Sequence, residues 1–147
     1  MDHRVERLRT PEECESFAKN ATARKRPDLA VEARRKAVEM KASTHNADSP
    51  VEKEALAAIY AYEALLTQQN GKKTRASRTW QLIRRHGIIE AVERTLKRPA
   101  ETADYATLLE MGMADLAFEA IILRHPESFS ADAIGTSTAR LAERSKN

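Results

Sequence analysis

SPVEKEALAAIYAYEALLTQQNG, residues 49 to 71, decides the fold class. Ser49-Pro50-Val51-Glu52 has the form of a capping box with proline at the first helical position, a start that satisfies orphan backbone N–H groups and presets φ. Leu56, Ile59, Tyr60, Tyr62, Ala64, Leu65 and Leu66 then cover nearly every side of a helix. A helix that is apolar all round must be enclosed by neighbours, so this stretch predicts a central helix over about 50–68. Asn70-Gly71 stops it.

Similar punctuation extends in both directions. Thr10-Pro11-Glu12-Glu13 is a second capping box with proline, followed by Cys14, Phe17, Ala18 and Ala21 on one stripe. Pro27 ends that helix and opens another, with Ala30, Ala33, Ala37 and Met40 inward and Arg34, Arg35, Lys36 and Lys41 outward. STHNADSP, residues 43 to 50, is a polar loop. Beyond the central helix, Thr74 or Ser77 can cap a helix running to about Arg85. Gly87 ends it, and Ile88 to Lys97 resumes with Ile88, Ile89, Val92 and Leu96 buried until Pro99 breaks it. Residues 102 to 111 and 113 to 124 read as two helices hinged at Gly112. Pro126 ends the second, and Ser130 caps a last helix over about 131 to 143, before a fraying RSKN tail. Nothing alternates with period two for long enough to be a strand. Four glycines and five prolines are few for 147 residues, which favours long helices over turn-rich sheets. The expected architecture is all-α: a compact bundle of about seven to eight helices built from packed helical hairpins. The chain reads as a single domain, residues 1–147, although its pattern also admits lobes at 10–70 and 72–143.

DLAVEA (28–33) recurs as DLAFEA (115–120), each placed to begin the second helix of a helix pair at an alanine-rich contact. The pair resembles helical-hairpin repeats of the tetratricopeptide kind, where small residues allow close approach. The separation of the two segments is no repeat period, and convergence on a good helix start accounts for them equally.

Hydrophobic residues make up 41% and charged residues 32% of the chain, enough for a core beneath a solvated surface. One cysteine, Cys14, excludes an internal disulfide and a cysteine-cluster zinc site, and on an apolar face it reads as inert core. The N-terminus has no apolar run, and no segment approaches the roughly 20 apolar residues that span a bilayer. The expectation is a soluble, cytoplasmic protein without a membrane partner.

KKTRASRTWQLIRRHG, residues 72 to 87, carries the functional expectation. Residues 72 to 98 hold nine lysines or arginines against Glu90 and Glu93, a net +7, so the other 120 residues sum to −4. Such a localised field suits an anionic partner. On a helix, Ala76, Trp80, Ile83 and Gly87 form the inner face, with Trp80 as a core anchor. Arg78, Gln81 and Arg85 form an outer face, with Arg75 one turn before. Thr74, Ser77 and Thr79 place hydroxyls at the helix N-terminus, where the dipole favours an anion. Arg and Gln can make bidentate contacts to guanine and adenine edges, while Lys, Ser and Thr take phosphate. An ordinary solvated helix interleaves both charge signs. Here no acid lies between Lys72 and Ile89. Double-stranded DNA is therefore the favoured partner over RNA. Lys72, Lys73, Arg75, Ser77, Arg78, Gln81, Arg84 and Arg85 make the contact, flanked by Arg94, Lys97 and Arg98. The role is that of a bacterial-type regulator or accessory factor, nucleoid-associated when bound to DNA.

A helix-turn-helix pivoting on Gly87 fits poorly: His86 occupies an apolar position, and Glu93 falls where the core is expected. The alternative function is a helical protein-interaction or dimerising module. Its basic face would dock an acidic partner, with Tyr60, Tyr62, Phe118 and Phe129 as interface anchors. No enzyme or cofactor motif is present. His3, His45, His86 and His125 lie in no metal-binding pattern; His45 is in a polar loop, and His86 and His125 suit helix C-termini. Glu63, Glu90, Glu93, Glu110 and Glu119 are scattered acids, and a nuclease built from them has no motif behind it.

Overall fold

The computed structural model describes residues 1–98 and 105–145, which are helical and without strands. A short helix α1 (His3–Glu6) precedes α2 (Pro11–Ala23), α3 (Pro27–Ser43) and α4 (Pro50–Asn70). The basic stretch forms α5 (Ser77–His86) and α6 (Ile88–Leu96). α7 (Tyr105–Glu110), α8 (Phe118–Arg124) and α9 (Ala131–Ser145) follow, with 3-10 turns at Ala114–Leu116 and Pro126–Ser128. The expected break at Pro99, the helix start at 102 and the end of the RSKN tail lie outside the described residues.

α4 is the central helix, as its sequence requires. From Val51 to Thr67 only Lys53 is exposed, and α3, α6, α7 and α8 all pack on it. Leu56 and Ile59 join Val92 and Leu96 of α6, Met113, and Ile121 and Ile122 of α8 in one core. A smaller cluster, Ala18, Ala21, Leu29, Ala30 and Ala33, seals α2 on α3, the small side chains letting the backbones close. Both capping positions hold. Thr10 and Glu13 exchange the full box, and Ser49 Oγ accepts from the Glu52 amide. Cys14 is buried, with its Sγ 3.8 Å from Met40 Sδ, and burial pushes its thiol up.

Two helix ends close by the same turn. At α2 the Arg26 amide donates to the Ala21 carbonyl and that of Lys25 to Thr22, with Lys25 left-handed at φ 61°. At α7 the Met113 amide donates to Leu108 and that of Gly112 to Leu109, with Gly112 at φ 73°. Both are Schellman turns, whose left-handed position favours glycine. Only Gly112 is also sterically fixed: a Cβ there would stand 2.3 Å from Val31 Cγ1 on α3.

The echoed segments differ in structure. DLAVEA lies within the first turns of α3. DLAFEA begins in a 3-10 turn, passes through extended Ala117 (ψ 146°) and enters α8 only at Phe118. The second segment docks on the helix containing the first, where Arg35 grips Asp115 through two hydrogen bonds of 2.9 and 2.5 Å. Phe118 and Phe129, expected as interface anchors, are buried core; Tyr62 meets Phe118 edge-on at 5.8 Å. Glu119 is also internal, 2% exposed, and receives Arg140 and Arg144 from α9.

Candidate nucleic-acid interface

The inner face of α5 is built as expected around Ala76 and Trp80, both buried, with Ile83 half-buried; Gly87 is exposed. Trp80 is an anchor held from three sides. Its Nε1–H donates to Glu63 of α4 at 2.6 Å. His45 stacks on it with ring centroids 5.5 Å apart and planes 8° from parallel. Arg75 lies over it at 5.7 Å. Tyr60 completes the group, its hydroxyl 2.8 Å from His45 Nε2.

The N-terminus of α5 departs from expectation. Neither Thr74 nor Ser77 caps it; the N-cap is Ala76, whose side chain offers no acceptor. Glu63 of α4, 8% exposed, accepts from the Ala76 amide at 2.8 Å as well as from Trp80. This is the half of a capping box that a glutamate at the third helical position would ordinarily supply. The threonines are likewise committed. Thr74 Oγ1 donates to the Lys72 carbonyl and accepts from Asn70. Thr79 is 1% exposed, 3.4 Å from Thr95 of α6. The expected hydroxyl-lined anion pocket is therefore not formed: a carboxylate already faces this helix end, and only Ser77 keeps an exposed hydroxyl-bearing side chain.

The outer face meets the expectation more fully. Ser77, Arg78, Gln81, Arg84 and Arg85 are exposed along one side of α5, and Lys72 and Lys73 are exposed in the preceding loop. Among the described residues, the side chains of Lys72, Lys73, Gln81, Arg84 and Arg85 have no hydrogen bond or ion pair. Arg75 is exposed but drawn inward, its Nε 3.8 Å from Glu63. The flank is mixed. Arg94 pairs with Glu90 at 3.2 Å, Lys97 is exposed and Arg98 is half-buried. Glu90 also lies 3.4 Å from His86 Nδ1.

α6 packs one face into the core. Ala91, Val92, Thr95 and Leu96 are buried, while Ile88 and Ile89, expected buried, are half-buried. Glu93, which the sequence left unexplained, accepts from the Ser130 hydroxyl at 2.5 Å and its amide at 3.2 Å. Ser130 in turn accepts from the Ala133 amide as the expected cap of α9. Between α5 and α6 stands Gly87 alone, at φ 89° and ψ 170°, a conformation essentially confined to glycine.

Glu63 and His45 are the residues that sequence reasoning missed. The available signal was one acid inside the apolar run IYAYEALL, since a buried carboxylate needs donors. His125 pairs with Glu54 of α4, which also receives Arg124 at 2.8 Å. Partial burial raises the Glu54 carboxyl, but these bonds outweigh it and leave it below the ordinary range. No group of three or more His, Cys, Asp or Glu poised for a metal occurs among the described residues, nor does any helix long and apolar enough to cross a membrane. Comparison with protein-family models, curated proteins and solved structures finds no match.

Proposed function

We propose that this chain is a helical double-stranded-DNA-binding protein, a regulator or accessory factor. It holds phosphate with Lys72 and Lys73 and presents the outer face of α5 to the duplex. The carrying observation is that α5 exposes Arg84, Arg85 and Gln81 without partners among the described residues, in a segment with no acid from Lys72 to Ile89. No acid on the same segment offsets these cations, so the local field they make suits an anionic partner. An exposed helix face suits the wide major groove of B-DNA, whereas the deep, narrow major groove of RNA helices excludes side chains. Anchoring by Trp80 and Glu63 keeps the face rigid, which limits the ordering cost of binding.

The test is fluorescence anisotropy of a labelled mixed-sequence duplex, and of one strand alone, at two salt concentrations. Binding should favour the duplex and weaken steeply with salt, by about 0.9 in log–log slope per phosphate contacted. Replacing Arg84 and Arg85 together by Glu should abolish it with helicity unchanged. Absence of binding at low salt overturns the reading and assigns the face to an acidic protein partner.

A further inference from the structure

Around Gly87 the basic face turns into an open groove of about 910 Å³ on the α5–α6 hairpin. Its half-buried lining mixes Leu82, Ile88 and Ile89 with Arg98 and two acids, and its exposed lining includes His86, Arg94 and Lys97. Alternating apolar sugar and anionic phosphate is the character of one nucleic-acid strand, and this groove offers the complement. Formally its charge is balanced, because Glu52, Glu90 and Glu93 also line it. Two of those acids are spent on helix caps. Glu52 accepts from the Ser49 hydroxyl, and Glu93 holds Ser130. Glu90 is different. Its two oxygens lie 3.4 Å from His86 Nδ1 and 3.2 Å from Arg94 Nη2, the arrangement in which two donors would hold two oxygens of a phosphate.

We propose that Glu90 occupies a backbone-phosphate site, and that a strand of the bound duplex displaces it, taking over His86 and Arg94 with Lys97 beside them. This rests on the DNA-binding reading and extends it: the strand passes from the α5 face into the α6 groove, and Glu90 acts as an internal competitor that weakens non-specific polyanion binding.

Glu90→Gln keeps the size of the side chain and removes its charge. The same anisotropy titration should show duplex affinity raised roughly two- to fivefold, with a salt slope steeper by about 0.9 as one more phosphate is neutralised. Arg94→Gln should do the reverse, weakening binding and flattening the slope, and it decides the matter should Glu90→Gln fail to fold by circular dichroism. Unchanged affinity and slope in both variants, while the Arg84/Arg85 reversal still abolishes binding, overturns the phosphate site and leaves the α5 face standing. Loss of nothing on the Arg84/Arg85 reversal overturns both.

Discussion

α3 and α5 are both rich in cations, yet they use them in opposite ways. On α3 every outward cation is half-buried and bound to another element. Lys36 Nζ donates to the Val5 and Glu6 carbonyls at 2.8 Å each, closing the C-terminus of α1. Arg35 holds Asp115, Lys41 reaches Glu15 at 2.7 Å, and Arg34 donates to Thr22. On α5, Arg84 and Arg85 are exposed and have no partner among the described residues. The cation counts are similar, four on α3 and three on α5, so the number of cations alone does not separate the two helices. What separates them is the supply of acids and carbonyls within reach, set partly by the acids α3 itself carries and α5 lacks, and partly by the fold, which brings Asp115, Glu15 and the end of α1 to α3.

Mutations on the two helices should therefore dissociate. The largest effect belongs to the Arg84→Glu, Arg85→Glu pair: duplex affinity lost by roughly a hundredfold or more at low salt, and stability changed by no more than about 0.5 kcal/mol. Glu63→Ala should cost about 2–4 kcal/mol in urea unfolding, because the Trp80 and Ala76 donors lose their buried acceptor. It should also loosen α5 enough to weaken duplex binding. Gly112→Ala should cost about 2–3 kcal/mol by driving a Cβ into Val31 at a left-handed φ, with duplex affinity per folded molecule unchanged.

Arg35→Met tests the fastening helix directly. The Arg35 guanidinium hydrogen-bonded to Asp115 holds that carboxyl below its usual range, against partial desolvation. A depressed carboxyl stabilises the fold above its unfolded pKa, near 4, and the contribution fades as pH falls through the lower folded value. Both side chains are partly exposed, so the variant should lose only about 0.5–1 kcal/mol at pH 7, and its urea midpoint should fall less steeply than wild type below pH 4. Equal slopes would show that the pair does no work in the fold. The last effect, of similar size, is a gain. Lys25→Gly relieves the left-handed position at the α2 turn, where Lys25 is exposed, and should raise stability by about 0.5–1 kcal/mol.

The sequence exposed what is local. Capping boxes, Pro and Gly boundaries, the all-round apolar α4 and the inner face of α5 follow from spacing along one helix. The outer face of α5 was equally legible, since acid-free runs are visible in one dimension. Contacts between helices were not. Thr79 reads as a terminal hydroxyl until α6 brings Thr95 against it. Glu63 reads as a stray acid until α5 supplies two donors from 13 and 17 residues away. Glu93 contradicts a core position until Ser130 arrives from 37 residues on. Periodicity assigns a side chain to a face of its own helix and leaves open which neighbour meets it. The extended residue Ala117 inside an apparently helical DLAFEA has the same origin, with Asp115 and Gly112 fixed by α3.

Gly87 is the whole connection between α5 and α6: its amide donates to Ile83 and its carbonyl accepts from Ala91. A joint of one residue has no slack. Charges on either arm can be altered singly and their effects graded, but length cannot. One residue inserted here would add two free dihedrals to the joint and release the fixed placement of Arg94 and Lys97 relative to Arg85. The relative placement of the charges on the two arms is thus open to gradual change by substitution and sensitive to insertion or deletion at the elbow.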